Sequence, residues 1–78
     1  MESIAFEAEV DARGQNCPLP ILKAKKALAT LTSGQVLKVT ATDPGSKRDF
    51  EAFARQTGNT LIGQIEAAGA WTFFLKRR

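Results

Sequence analysis

The chain has no histidine and a single cysteine among its 78 residues, and these two scarcities exclude a good deal of chemistry. One cysteine has no partner for an intramolecular disulfide. The missing histidine removes the usual base for a Cys–His nucleophile pair and the commonest transition-metal ligand, so no metal or other cofactor is expected. Nowhere do eighteen apolar residues run together, and the opening Met1-Glu2-Ser3-Ile4 carries neither a basic segment nor the apolar stretch of a secretion signal. The expectation is a cytoplasmic protein with no membrane partner. Internal repeats, low-complexity segments and linkers are also absent, and a chain of this length has room for one core, so a single domain over 1–78 is expected.

Proline is scarce too, yet two of the three prolines flank Leu19 directly after the lone cysteine, in Cys17-Pro18-Leu19-Pro20. An amphipathic run follows, which places Cys17 where a helix begins. The first N–H groups of a helix lack intrahelical acceptors and carry the positive end of the helix dipole, so a thiolate there is stabilised and its pKa should fall. Pro18 suits the first helical position and Pro20 still lies in the first turn, where neither costs a hydrogen bond. Asn16 or Cys17 would cap the helix, and Gly14 supplies a permissive backbone just before it. The competing reading, a small buried hydrophobe, is the commonest fate of a free cysteine. The polar neighbours Arg13, Gln15 and Asn16 argue for exposure instead.

From Ala5 to Asp11 apolar and acidic residues alternate, with Phe6, Ala8 and Val10 on one side and Glu7, Glu9 and Asp11 on the other, the pattern of a half-buried strand. Ile21, Ala24, Leu28 and Leu31 recur at helical spacing up to Thr32-Ser33-Gly34, which gives a helix over about 18–31. Gln35 to Thr42 is a second strand, closed by the turn Asp43-Pro44-Gly45. Ser46-Lys47-Arg48-Asp49 fits a capping box for a second helix with an apolar stripe of Phe50, Phe53 and Ala54, ended by Gly58. The turn before it could cradle a phosphate, but it matches no glycine-rich fingerprint and a plain structural cap is favoured. Thr60 to Ala67 and Trp71 to Arg77 form a hairpin across Ala68-Gly69-Ala70. The order β-α-β-α-β-β implies an α/β (α+β) two-layer sandwich, a mixed four-stranded sheet carrying both helices on one face. Trp71, Phe73 and Leu75 then pack under the helices. Thr72, Phe74 and Lys76 point to the open face, where Phe74 is a candidate docking spot.

The formal net charge is +3, with Lys23, Lys25 and Lys26 after the cysteine and Lys76, Arg77 and Arg78 at the end. Such a balance could attract an acidic protein or RNA, although Lys25, Lys26 and the tail fit a solvated surface.

The residues Asp11-x-x-Gly14-x-x-Cys17-Pro18-x-Pro20, Gly34 before the second strand, Asp43-Pro44 with Asp49, and Gly58 with Leu61 together resemble the TusA (SirA-like) sulfur carrier family, from about Val10 to Lys76. The resemblance implies the same β-α-β-α-β-β sandwich and assigns Cys17 as the acceptor of a sulfane sulfur, held as a persulfide. The donor would be a cysteine desulfurase or a rhodanese. The acceptor would be a cysteine of a partner, such as a TusBCD- or DsrE-type relay protein, serving tRNA thiolation, molybdenum cofactor enzymes or dissimilatory sulfur oxidation. Gly14, Pro18 and Pro20 would support the motif, while Arg13, Leu19 and Lys23 would meet partners. Asn59 departs from the family, many members of which carry histidine there. Two other readings compete. In one, a small RNA- or regulator-binding module uses the basic residues and Cys17 is structural, but aromatic residues interleaved with lysines are missing, which argues against direct nucleic-acid binding. In the other, Cys17 does peroxide or disulfide chemistry, which without a resolving cysteine needs a partner thiol.

Overall fold

The computed structural model describes residues 4–78. Its elements follow the expected order: β1 (Ala8–Ala12), α1 (Leu19–Ala29), β2 (Val36–Ala41), α2 (Ser46–Thr57), β3 (Thr60–Ala67) and β4 (Ala70–Lys76). One mixed sheet has the strand order β1-β2-β4-β3, parallel between β1 and β2 and antiparallel elsewhere. α1 packs on β1 and β2, and α2 packs on β3 and β4. This is the two-layer sandwich that the pattern implied.

The core lies between the layers. Leu37, Val39 and Ala41 of β2 and Phe73 and Leu75 of β4 meet Ala24 and Leu28 of α1 and Phe50, Phe53 and Ala54 of α2. Phe50 stacks on Phe73 with centroids 4.6 Å apart, an offset contact worth about 0.5–1.5 kcal/mol beyond area burial. β3 and β4 are joined by a two-residue turn, Ala68-Gly69, with φ of +54° and +77°. That left-handed pair matches the twist of the flanking strands, so Ala70 belongs to β4 and not to the loop.

Four local expectations are corrected. Phe6 does not share a side with Ala8 and Val10. The chain bends at Glu7, whose N–H donates to the Val36 carbonyl at 2.8 Å while its Oε1 accepts the Val36 N–H at 2.6 Å. A side chain thereby takes the bond that would have continued the ladder, and Phe6 swings onto the open face. There it lies 6.4 Å from Phe74, with Lys38 Nζ 5.1 Å from its ring centre. Phe74 is consequently covered, 5% exposed, and is no docking spot. Gly63 shares this cover: a Cβ there would stand 2.6 Å from Ile4 Cδ1, so a side chain at 63 would make the tip of Ile4 move aside.

The helix caps also differ. Pro18 itself is the N-cap of α1, Pro20 sits in the first turn, and no side chain caps the helix; neither Asn16 nor Cys17 does so, because the missing proline N–H leaves little to cap. Gly45 is the N-cap of α2 and its capping box is not formed. Ser46 is 2% exposed, with its hydroxyl turned inward and without a hydrogen-bond partner among the described residues.

Candidate functional site

The topology decides what surrounds Cys17. Parallel pairing aligns Ala8 with Leu37 and Ala12 with Ala41, so both strands end at the same edge of the sheet, and both helices must begin there before running back. β4 enters the sheet at that edge too, since Trp71 pairs with Ala41. The loop from β1 to α1 therefore lies beside the loop from β2 to α2. They are stitched together by the Gly14 N–H, which donates to Thr42 Oγ1 at 2.8 Å. Gly14 has φ +77°, a conformation glycine adopts without steric cost. Within the loop Gln15 N–H donates to the Ala12 carbonyl at 3.3 Å and Leu19 N–H to the Asn16 carbonyl at 2.9 Å. Backbone bonds thus hold the loop, and Cys17 at its crest is a free, exposed thiol.

The electrostatics run opposite to the expectation from the helix dipole. The thiol pKa is raised, first by hydrogen bonding toward the Asp49 carboxylate, then by partial loss of water around the sulfur, and then by the charges of Asp49 and Asp43; Arg48 opposes them. The two carboxylates converge over Gly45, where a Cβ would lie 3.2 Å from Asp43 Oδ2 and 3.7 Å from Asp49 Oδ2. Asp43 Oδ2 also accepts the Gly45 N–H at 3.0 Å, so this turn is a structural cap, and two negative groups guard it against a phosphate. Asp49, the leading cause, and Asp43 thus act against the lowering that a helix start alone would give.

Of the other residues singled out in the sequence, Pro18 and Leu19 flank the thiol in the open and Pro20 is buried beneath it. Leu19 is 48% exposed and Leu22, one turn on, 47%, so an apolar step lies beside the sulfur. Arg13 is turned to Asp11: its Nε and Nη2 donate to the two carboxylate oxygens, each at 2.9 Å. That pair holds the Asp11 pKa down to about 2 and raises that of Arg13. Lys23 Nζ reaches the Asp11 carbonyl at 3.5 Å. Asn59 is elsewhere. It follows α2, whose 12 residues place it about 18 Å from the end of the helix near Cys17. Its Nδ2 donates to Thr57 Oγ1 at 2.9 Å and its Oδ1 accepts the Arg78 N–H at 3.0 Å, a structural role at the far edge.

Asp49, Arg48 and Leu22 were not singled out as site residues from the sequence. The signal was the β-α-β-α order itself, since parallel pairing of the first two strands is what brings the second loop, with its carboxylates, to the thiol. Beside that loop an open groove of about 430 Å³ runs between Pro44, Lys47, Arg48, Glu51 and Trp71. Among the described residues no helix is long and apolar enough to cross a membrane.

Known proteins share both the sequence and the fold. A family model described as sulfurtransferase TusA matches residues 8–77. Over 72 residues the chain is 58% identical to the sulfur carrier protein TusA of Allochromatium vinosum, covering 92% of this chain and 95% of that one. Over 78 residues it is 38% identical to the sulfur carrier protein TusA of Pseudomonas entomophila, covering 100% and 98%. The crystal structure of a SirA-like protein from Desulfitobacterium hafniense superposes with a TM-score of 0.80 at 29% identity, covering 90% of this chain and 96% of that one. Matched along nearly its whole length by the family model and by these relatives, and sharing the fold of the SirA-like structure, the chain belongs to the sulfurtransferase TusA family.

Proposed function

We propose that this sulfur carrier holds its cargo on Cys17 as a persulfide, taking it from one protein and giving it to another in a sulfur relay. The observation that carries the reading is the placement of Cys17, the lone thiol, exposed at the crest of a loop that backbone bonds hold in place. In loading, the Cys17 thiolate attacks the outer sulfur of a donor persulfide. The donor's S–S bond breaks, the donor leaves as a thiolate, and a new S–S bond forms on Cys17, with no net oxidation. Delivery repeats the exchange, with an acceptor cysteine attacking the outer sulfur and Cys17 leaving. Exchange of this kind depends on the attacking thiolate, the leaving thiol and access. With no second cysteine in the chain, no internal thiol can discharge the cargo by forming a disulfide.

The raised thiol pKa fits a carrier that is quiet until docked. Asp49 and Asp43 favour the protonated thiol, and a donor that brings a cationic group against those carboxylates would weaken that restraint. Once deprotonated, a thiolate of higher pKa is the stronger nucleophile. Leu19 and Leu22 supply an apolar contact beside the sulfur, and Arg13 and Lys23 border it. Donors of the cysteine desulfurase or rhodanese class and acceptors of the TusBCD or DsrE type suit this surface, in a cytoplasmic setting.

The test is to incubate the reduced protein with a cysteine desulfurase and cysteine, or a rhodanese and thiosulfate, and to record its intact mass before and after a final reductant. A reductant-sensitive gain of one sulfur atom, absent in Cys17→Ser, is expected. A gain that persists in the folded Cys17→Ser variant would overturn the assignment.

A further inference from the structure

At the edge of the molecule away from the thiol, the last turns of α1 and α2 and the end of β4 enclose a cavity of about 200 Å³. Phe53 lies in its wall, and Lys25, Thr57, Asn59, Arg77 and Arg78 supply its polar lining. No acidic side chain lines it. Three cations thus share one small space, and among the described residues none of them enters an ion pair.

The lining is fixed in place. Arg77 Nε donates to the Leu28 carbonyl at 2.9 Å, which also quiets the negative end of α1, and its backbone is tied on both sides to Gly34 and Gln35 at 2.8 Å. Arg78 N–H donates to Asn59 Oδ1 at 3.0 Å, Asn59 Nδ2 donates to Thr57 Oγ1 at 2.9 Å, and Thr57 Oγ1 donates to the Phe53 carbonyl at 2.7 Å. The Arg78 side chain lies across Gly58, with its Cδ 3.0 Å from where a Cβ would stand. The carbonyl ends of the two helices and the Arg78 oxygen, which accepts from Arg77 Nη1 at 3.3 Å, offset part of this charge, and no acidic side chain in the lining offsets the rest.

We infer that this cavity is a binding site for a single phosphate group, held by Lys25, Arg77 and Arg78. The volume suits one phosphate and a few waters, each water taking about 30 Å³. Guanidinium groups match the paired oxygens of phosphate, and the lysine adds a point charge. The group is carried either by inorganic phosphate or by a small phosphate monoester. The 11 residues of α1 put about 16 Å between this cavity and the thiol, so its ligand does not touch the sulfur.

The experiment is a titration of the full chain with inorganic phosphate, and separately with glycerol phosphate, followed by amide NMR at constant ionic strength. Saturable shifts at Lys25, Thr57 to Asn59, Arg77 and Arg78 are expected, with tighter saturation by one of the two ligands telling which source fits. Lys25→Gln and Arg78→Gln should each weaken binding about tenfold, the worth of one charge-assisted contact, while Lys47→Ala, outside the cavity, should bind as before. The same spectra report whether each variant is folded, and exposed Lys25 carries the test if Arg78→Gln is not. Shifts that rise without saturating, that spread equally to Lys47 and Arg48, or that survive Lys25→Gln unchanged would overturn the site.

Discussion

At the scale of single residues, the contest over the Cys17 proton is the most consequential feature. Its pKa is raised with Asp49 as the leading cause, so the rate of alkylation by iodoacetamide should reach half its plateau above the pH of an ordinary cysteine. In Asp49→Asn the profile should move to lower pH, and in Arg48→Ala to higher pH; an unmoved profile in Asp49→Asn would show that the carboxylate does not act on the sulfur. Asp11 offers a cleaner reading of a single pair. Its carboxyl is depressed to about 2 by Arg13, and Arg13→Ala should return it toward the ordinary carboxylate range in a side-chain NMR titration. Because the folded pKa is the lower one, the stabilisation is present above the ordinary carboxylate pKa and is lost as pH falls toward 2. It is small, since the pair is exposed. The thiol itself was legible from the sequence, because the lone cysteine stands in a Cys-Pro-x-Pro turn before an amphipathic run. The direction of its pKa was not, since the chain places Asp49 thirty-two positions away and only the folded sheet brings it close.

At the scale of elements, β1 shows where periodicity stops being informative. Alternation over residues 5–11 was real for Ala8 and Val10, which pack on the core, and failed for Phe6, because one carboxylate, Glu7, caps the strand by taking the Val36 N–H. Side-chain competition for a backbone donor leaves no mark in a hydrophobic pattern. The segment that results has an energetic role. Phe6→Ser should cost about 1–2 kcal/mol in denaturant unfolding, the worth of a partly buried aromatic and its ring contact. It should also increase binding of a hydrophobic dye as Phe74 becomes accessible. An unchanged midpoint would mean that the segment rests on the sheet without stabilising it. The helices and strands were otherwise readable to within three residues at each end, where boundaries are intrinsically soft.

For the molecule as a whole, stability rests on one interleaved core. Phe50 is fully buried and stacked on Phe73, and Phe50→Ala should cost about 3–5 kcal/mol out of a total of about 5–15 kcal/mol for a domain. The expected outcome is a large drop in the urea midpoint, and a drop of less than about 1 kcal/mol would mean that the core re-collapses around the gap. Fold class followed from element order because few arrangements bury two short helices on four strands, whereas the strand order β1-β2-β4-β3 is read from the structure. The gathering of both helix starts at the thiol edge follows from the same order, yet its chemical result depends on which side chains the two loops carry.

That arrangement has a consequence for how the fold can be joined to other chains. The polypeptide enters β1 beside Val36, which pairs with Lys76 at the exit of β4, so the way in and the way out lie together on the side remote from Cys17. A tether after β4 would emerge there, and one ahead of Ile4 would leave from the open face by Gly63, both leaving the sulfur unshadowed. The sandwich can therefore be threaded into a longer polypeptide on either side, with the reach of the tether alone setting how far the cargo swings.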